Sequence, residues 1–99
     1  MTFDFSNNKN RKLFEERGVT FQDAIDAISE NGILKYFDHP NKKKYPNQKV
    51  FVVEINNYTY CVPHIINNGK LFLKTVIPNR KFMYLLEENK WNIQIKINI

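Results

Sequence analysis

The side chains able to do chemistry in this chain are cations and aromatics, and they gather in its second half. Lys42-Lys43-Lys44 runs into Tyr45, and Lys49 opens an apolar segment. The stretch "LFLKTVIPNRKF", residues 71–82, then sets Lys74, Arg80 and Lys81 along a strand-like pattern. Between residues 39 and 81 there are eight Lys and Arg against a single acid, Glu54. Charges of this kind bind phosphate, and Tyr45, Tyr58, Tyr60 and Phe72 offer planes on which unstacked bases can lie. Each feature also has a plainer reading. A lysine run is most often a solvated loop, strand tyrosines most often pack, and Lys74 can snorkel from an apolar strand. His39, beside Pro40, reads first as a turn residue, and His64 as the end of a strand.

Other chemistries find little support. The three glycines are scattered, so no glycine-rich loop cradles phosphate. His39 and His64 stand far apart with no carboxylate at ligand spacing, and no metal is expected. Ser6 and Ser29 have no neighbouring histidine and no glycine elbow. Cys61 is the lone cysteine, which excludes an internal disulfide, and its setting in "YTYCVP" suits a buried, inert thiol.

These residues need elements to position them. Ninety-nine residues at 42 % hydrophobic content, with 14 % aromatics, suit one globular domain over 1–99. No apolar run is long enough to span a membrane, and "MTFDFSNNKNRK" lacks the apolar segment of a signal peptide, so a soluble, cytoplasmic protein is expected. Charge is uneven: residues 1–34 hold four cations and six acids, and residues 35–99 hold eleven cations and four acids. Positive charge confined to one part of a small domain points to a polyanion partner.

"TFDF" reads as an opening strand. A short helix comes next, closed by Gly18, and then Thr20 caps a second, amphipathic helix over 21–30 that ends at Gly32. Asp23 completes a capping box with Thr20. From residue 33 the period turns to alternation. "ILKYFDH", "KVFVVEI", "YTYCVPHII" and "LFLKTVI" read as strands, with hairpin turns at Asn56-Asn57 and Asn68-Gly69. Pro63 is expected at an edge, a bulge or a strand end, because it removes a ladder donor. "RKFMYLLEEN" reads as a short C-terminal helix. The tail "WNIQIKINI", residues 91–99, alternates strictly and predicts an extra strand, paired within the sheet or across a homodimer. The fold class is α+β, with helices on one face of an antiparallel meander.

Two segments resemble a known family. "FDFSNNKNRKLFEERGVTFQDAIDAI" resembles the opening of BrnT-type toxins through Asp4, Lys9, Asn10, Gly18, Val19, Thr20 and Phe21. "HPNKKKYPNQKVFVVEINNYTYCVPHI" with "FLKTVIPNRKF" is similar to a branch of these small toxins whose meander ends in an Arg-Lys pair. The resemblance covers about residues 3–86 and implies a RelE-like fold. It also implies metal-independent, cofactor-free cleavage of RNA by the toxin of a type II toxin–antitoxin pair, neutralised by a small antitoxin, often of ribbon-helix-helix type. Arg80 matches the arginine of the closing pair and would stabilise transition-state charge. Lys74 would bind phosphate or shuttle a proton, and His39 and Tyr45 would be acid/base groups. Lys42, Lys43, Lys44, Lys49 and Lys81 would bind RNA. Phe82-Met83 departs from the family, which has small residues and Thr there. The competing reading is a non-catalytic basic module that binds nucleic acid or an acidic protein.

Overall fold

A computed structural model describes residues 1–87. They run β1 (Thr2–Asp4), α1 (Asn7–Arg17), α2 (Phe21–Asn31), β2 (Lys35–Asp38), β3 (Lys49–Ile55), β4 (Tyr58–Asn67), β5 (Lys70–Leu73) and β6 (Ile77–Pro78). A 3-10 turn at Arg80–Phe82 leads into a helical stretch at 84–87. The expected strand over 91–99 lies outside the described residues.

Local chemistry explains the boundaries. The Ser6 hydroxyl accepts the Lys9 amide at 3.3 Å to open α1, and Gly18 closes it in the left-handed region at φ 69°. The capping box of α2 is complete: Thr20 Oγ1 accepts the Asp23 amide at 3.1 Å, and the Thr20 amide donates to Asp23 Oδ2 at 2.9 Å. Asn56 and Asn57 turn β3 into β4 at φ 52° and 63°, and Asn68 and Gly69 turn β4 into β5 at 52° and 77°. Positive φ at both central positions matches the twist of the flanking strands.

The sheet order is β1-β5-β4-β3-β2, with β6 also paired to β4. Four pairings are antiparallel, but β1 runs parallel to β5, so the sheet is mixed rather than purely antiparallel. The larger core joins Leu13, Phe21, Ala24 and Ala27 of the helices to Phe51, Val53, Val62 and Leu73 of the sheet. A smaller core on the opposite face joins Val50, Val52 and Cys61 to Phe37, Phe82 and Leu85. The helices are therefore not all on one side: α1 and α2 cover one face and the C-terminal segment covers the other.

Residues 71–77 are not one strand. The ladder stops after Leu73 and resumes at Ile77–Pro78 opposite Cys61 and Tyr60, so Pro78 is paired and closes β6. The break lies beside Pro63, which is buried within β4, paired with Val50 of β3 on one side and facing the break on the other, rather than at the strand's end. Its carbonyl accepts the Lys74 amide at 2.8 Å. Amide and carbonyl of a strand residue point the same way, so the donor that proline lacks faces the gap, where no partner strand runs among the described residues. Alternation slips across the gap: Val76 is fully buried, while Ile77 is 39 % exposed. Helix α1 holds the gap. Lys9 Nζ donates to the Lys74 carbonyl at 3.2 Å, and Arg17 donates to Thr75 Oγ1 at 3.2 Å and to the Val76 carbonyl at 3.0 Å.

Candidate functional site

The loop between β2 and β3 builds one wall. His39 extends the ladder by donating its amide to the Gln48 carbonyl at 3.0 Å. Asn41 organises the chain beyond it: its side-chain oxygen accepts the Lys44 amide at 3.2 Å, and its carbonyl accepts the Tyr45 amide at 2.9 Å. The resulting helical turn brings the Tyr45 ring back against the His39 ring, with centroids 4.5 Å apart. The Asn41 amide itself donates to His39 Nδ1 at 3.0 Å.

The gap after β5 builds the other wall. Lys74 and, from α1, Lys9 face His39 and Tyr45 across a cleft of about 330 Å³, with Pro63 and Ile77 supplying apolar surface. Lys74 Nζ lies 5.1 Å from the centre of the Phe72 ring, a cation–π contact. Among the described residues the walls thus offer an imidazole, a phenol and two ammonium groups, and no carboxylate. Three of the residues expected to act catalytically, Lys74, His39 and Tyr45, meet here.

Arg80 does not join them. Asn79 is pinned to Thr59, its amide donating to the Thr59 carbonyl at 2.9 Å and its carbonyl accepting from Thr59 Oγ1 at 2.6 Å. Its side chain accepts the Lys81 amide at 2.9 Å. Thr59 stands four residues along β4 from Pro63, about 13 Å at strand rise. Arg80 and Lys81 are exposed there, on a turn of their own.

The lysines expected to hold RNA are also not equivalent. Asp38 sits one residue before the acid-poor segment, and it takes two of them: Lys49 bonds it directly, and Lys42 approaches to 3.5 Å. Lys49 and then Lys42 hold the Asp38 carboxyl below the usual carboxylate range, and Asp38 in turn raises Lys49. Lys43 and Lys44 are exposed, and Lys44 Nζ lies 5.4 Å from the Tyr45 ring centre.

Phe82, the departure from the family pattern, packs on Phe37 at 5.6 Å between centroids, beneath Lys35 Nζ. It fastens the Arg80–Phe82 turn to the second core. His64 is remote in chemistry from the cleft: fully buried, stacked on Phe51 at 3.8 Å, with Nδ1 donating to the Val62 carbonyl at 3.0 Å. Burial lowers its pKa and raises that of the buried Cys61 thiol.

Sequence reasoning passed over Lys9 as a site residue, seeing only its place in the opening motif. Its spacing on an exposed helix carried no sign of the chain it would meet sixty-five residues later. Among the described residues no group of three or more His, Cys, Asp or Glu could hold a metal ion, and no helix is long and apolar enough to cross a membrane. Comparison of the chain with protein-family models, curated proteins and solved structures finds no match.

Proposed function

We propose that this chain is an RNA-cleaving toxin on a RelE-like scaffold, and that the cleft between His39-Tyr45 and Lys9-Lys74 is where it acts. The carrying observation is the composition of that cleft: two cations, an imidazole and a phenol, with no carboxylate among the described residues to repel a phosphodiester. Support comes from the resemblance of the opening segment and of residues 39–82 to BrnT-type toxins, and from an α+β domain whose two N-terminal helices share one sheet face.

The reaction needs no metal. A ribose 2′-oxygen attacks the adjacent phosphorus as the bond to the 5′-oxygen breaks, leaving a 2′,3′-cyclic phosphate and a 5′-hydroxyl. One proton leaves the attacking hydroxyl and one is delivered to the departing oxygen. Lys9 and Lys74 balance the charge that builds on the phosphoryl oxygens. A small acidic antitoxin, encoded beside this chain, covers the cationic side and keeps RNA out.

Induced expression tests the proposal. Growth arrest with fragmented total RNA is expected, and the new ends should carry cyclic phosphate. Lys74→Ala should lower cleavage on the order of 10²–10³-fold while leaving the protein folded. Intact RNA in cells containing well-folded protein would rule the nuclease out, and RNA binding without cutting would favour the basic interaction module.

A further inference from the structure

The two histidines are held in opposite tautomers, and that of His39 decides what it can do in the cleft. The Asn41 amide donates to His39 Nδ1 at 3.0 Å. A ring nitrogen that accepts a hydrogen bond carries no proton, so the neutral ring keeps its proton on Nε2. His64 is the reverse: Nδ1 faces the Val62 carbonyl at 3.0 Å and must donate, which leaves Nε2 without a proton and without a partner among the described residues.

We propose that His39 serves the cleft as a fixed Nε2–H donor to a phosphoryl oxygen and transfers no proton. This rests on the reading of the cleft as a phosphodiester site. The donating amide is itself held in place, because Asn41 accepts from both Lys44 and Tyr45. Turning the ring over would set a carbon against that amide, and the Tyr45 ring at 4.5 Å packs against one face. Among the described residues, the charged and titratable groups that line the cleft with His39 are Tyr45 from its own loop, Lys9 from α1 and Lys74 from the gap after β5. Its neighbour Asp38 is engaged with Lys49 and Lys42. Lys9 spends one of its three donors on the Lys74 carbonyl and keeps two. Lys9, Lys74 and His39 therefore make a three-armed donor site for one anionic group.

The proton transfers then fall to other groups. As the bond from phosphorus to the 2′-oxygen forms and that to the 5′-oxygen breaks, water in the open cleft takes the 2′-hydroxyl proton. Tyr45 gives its phenolic proton to the 5′-oxygen and recovers one from solvent.

Two measurements on the full chain test this. Long-range ¹H–¹⁵N correlation of the imidazoles, with His39→Gln identifying the signals, should show Nε2–H for His39 and Nδ1–H for His64 in one spectrum. A His39 ring protonated on Nδ1 overturns the proposal. Binding of a 2′-O-methylated oligoribonucleotide, which has no attacking hydroxyl, should weaken roughly tenfold in His39→Phe. It should stay within about threefold in His39→Gln, whose amide still donates. Equal losses in both variants would overturn the donor role. A wild-type protein that shows the expected tautomers and binds no oligonucleotide would overturn the phosphodiester reading and the donor role with it.

Discussion

Asp38 shows how one carboxylate outside a run changes what the run means. By pairing with Lys49 and Lys42 it removes two cations from the pool that sequence alone would assign to RNA. His39, Tyr45 and Lys74 were legible as candidate catalytic residues, but the geometry that brings them together was not. It depends on backbone bonds at Asn41 and on a strand break beside Pro63, and neither leaves a mark in residue spacing. Arg80 moves in the other direction. Standing on a separate exposed turn, it should act as a phosphate contact: Arg80→Ala should weaken RNA binding for all sequences and reduce the salt slope by about 0.7. A loss of turnover at saturation as large as that of Lys74→Ala would instead place Arg80 in the transition state. His64 gives a pH prediction. Burial depresses its folded-state pKa below the ordinary 6.5, so on acidification the unfolded chain takes up the proton first. Stability from this group is whole above pH 6.5 and is lost as pH falls from there through the folded value. Asp38, also depressed, adds its loss only below 3.8. Denaturant midpoints should therefore drop as pH falls below 6.5 in the wild type and stay level over the same range in His64→Phe. An equal drop in both would exclude His64 as the source.

At the scale of elements, the parts written by local chemistry were readable: two caps, two hairpin turns and the amphipathic helix. Thr20 and Asp23 close their box as their spacing requires, and Thr20→Ala should cost about 1 kcal/mol of stability, read from the unfolding midpoint. No change there would mean that Phe21 and Ala24 hold α2 without its cap. The parts set by distant partners were not readable. Alternation runs unbroken through Leu71, Leu73, Thr75 and Ile77, yet the ladder breaks because Pro63 opposite has no donor to give. The parallel pairing of β1 is equally invisible, since three residues cannot declare which edge they join. In the sequence Phe82 stood out only as a departure from the residues that BrnT-type toxins carry there. Its contact with Phe37 makes it the anchor of the C-terminal turn.

The whole molecule is electrically two-sided. A groove lined by Asp23, Asp26, Glu30 and Glu54 lies on the α2 side, while Lys9 and Lys74 line the cleft near Gln48. Six residues of β3 separate Glu54 from Gln48, about 20 Å. An acidic antitoxin segment should settle on the cationic end, compete with RNA and bind more weakly as salt rises. Affinity indifferent to salt, or protection confined to α1 and α2, would refute that arrangement. The contact between Lys9 and the Lys74 carbonyl has a further consequence, in time rather than in space. Its two residues lie sixty-five apart, and β1 likewise waits for β5 before it has a partner. Contacts so distant in sequence form late, because the loop between them must close first. The hairpins can assemble as they are made, but the cleft exists only after the residues beyond β5 have been joined to the chain. A copy that stops at the end of β4 has Lys9, His39 and Tyr45 but no Lys74 and no site, so the activity proposed for this fold switches on when the domain is complete.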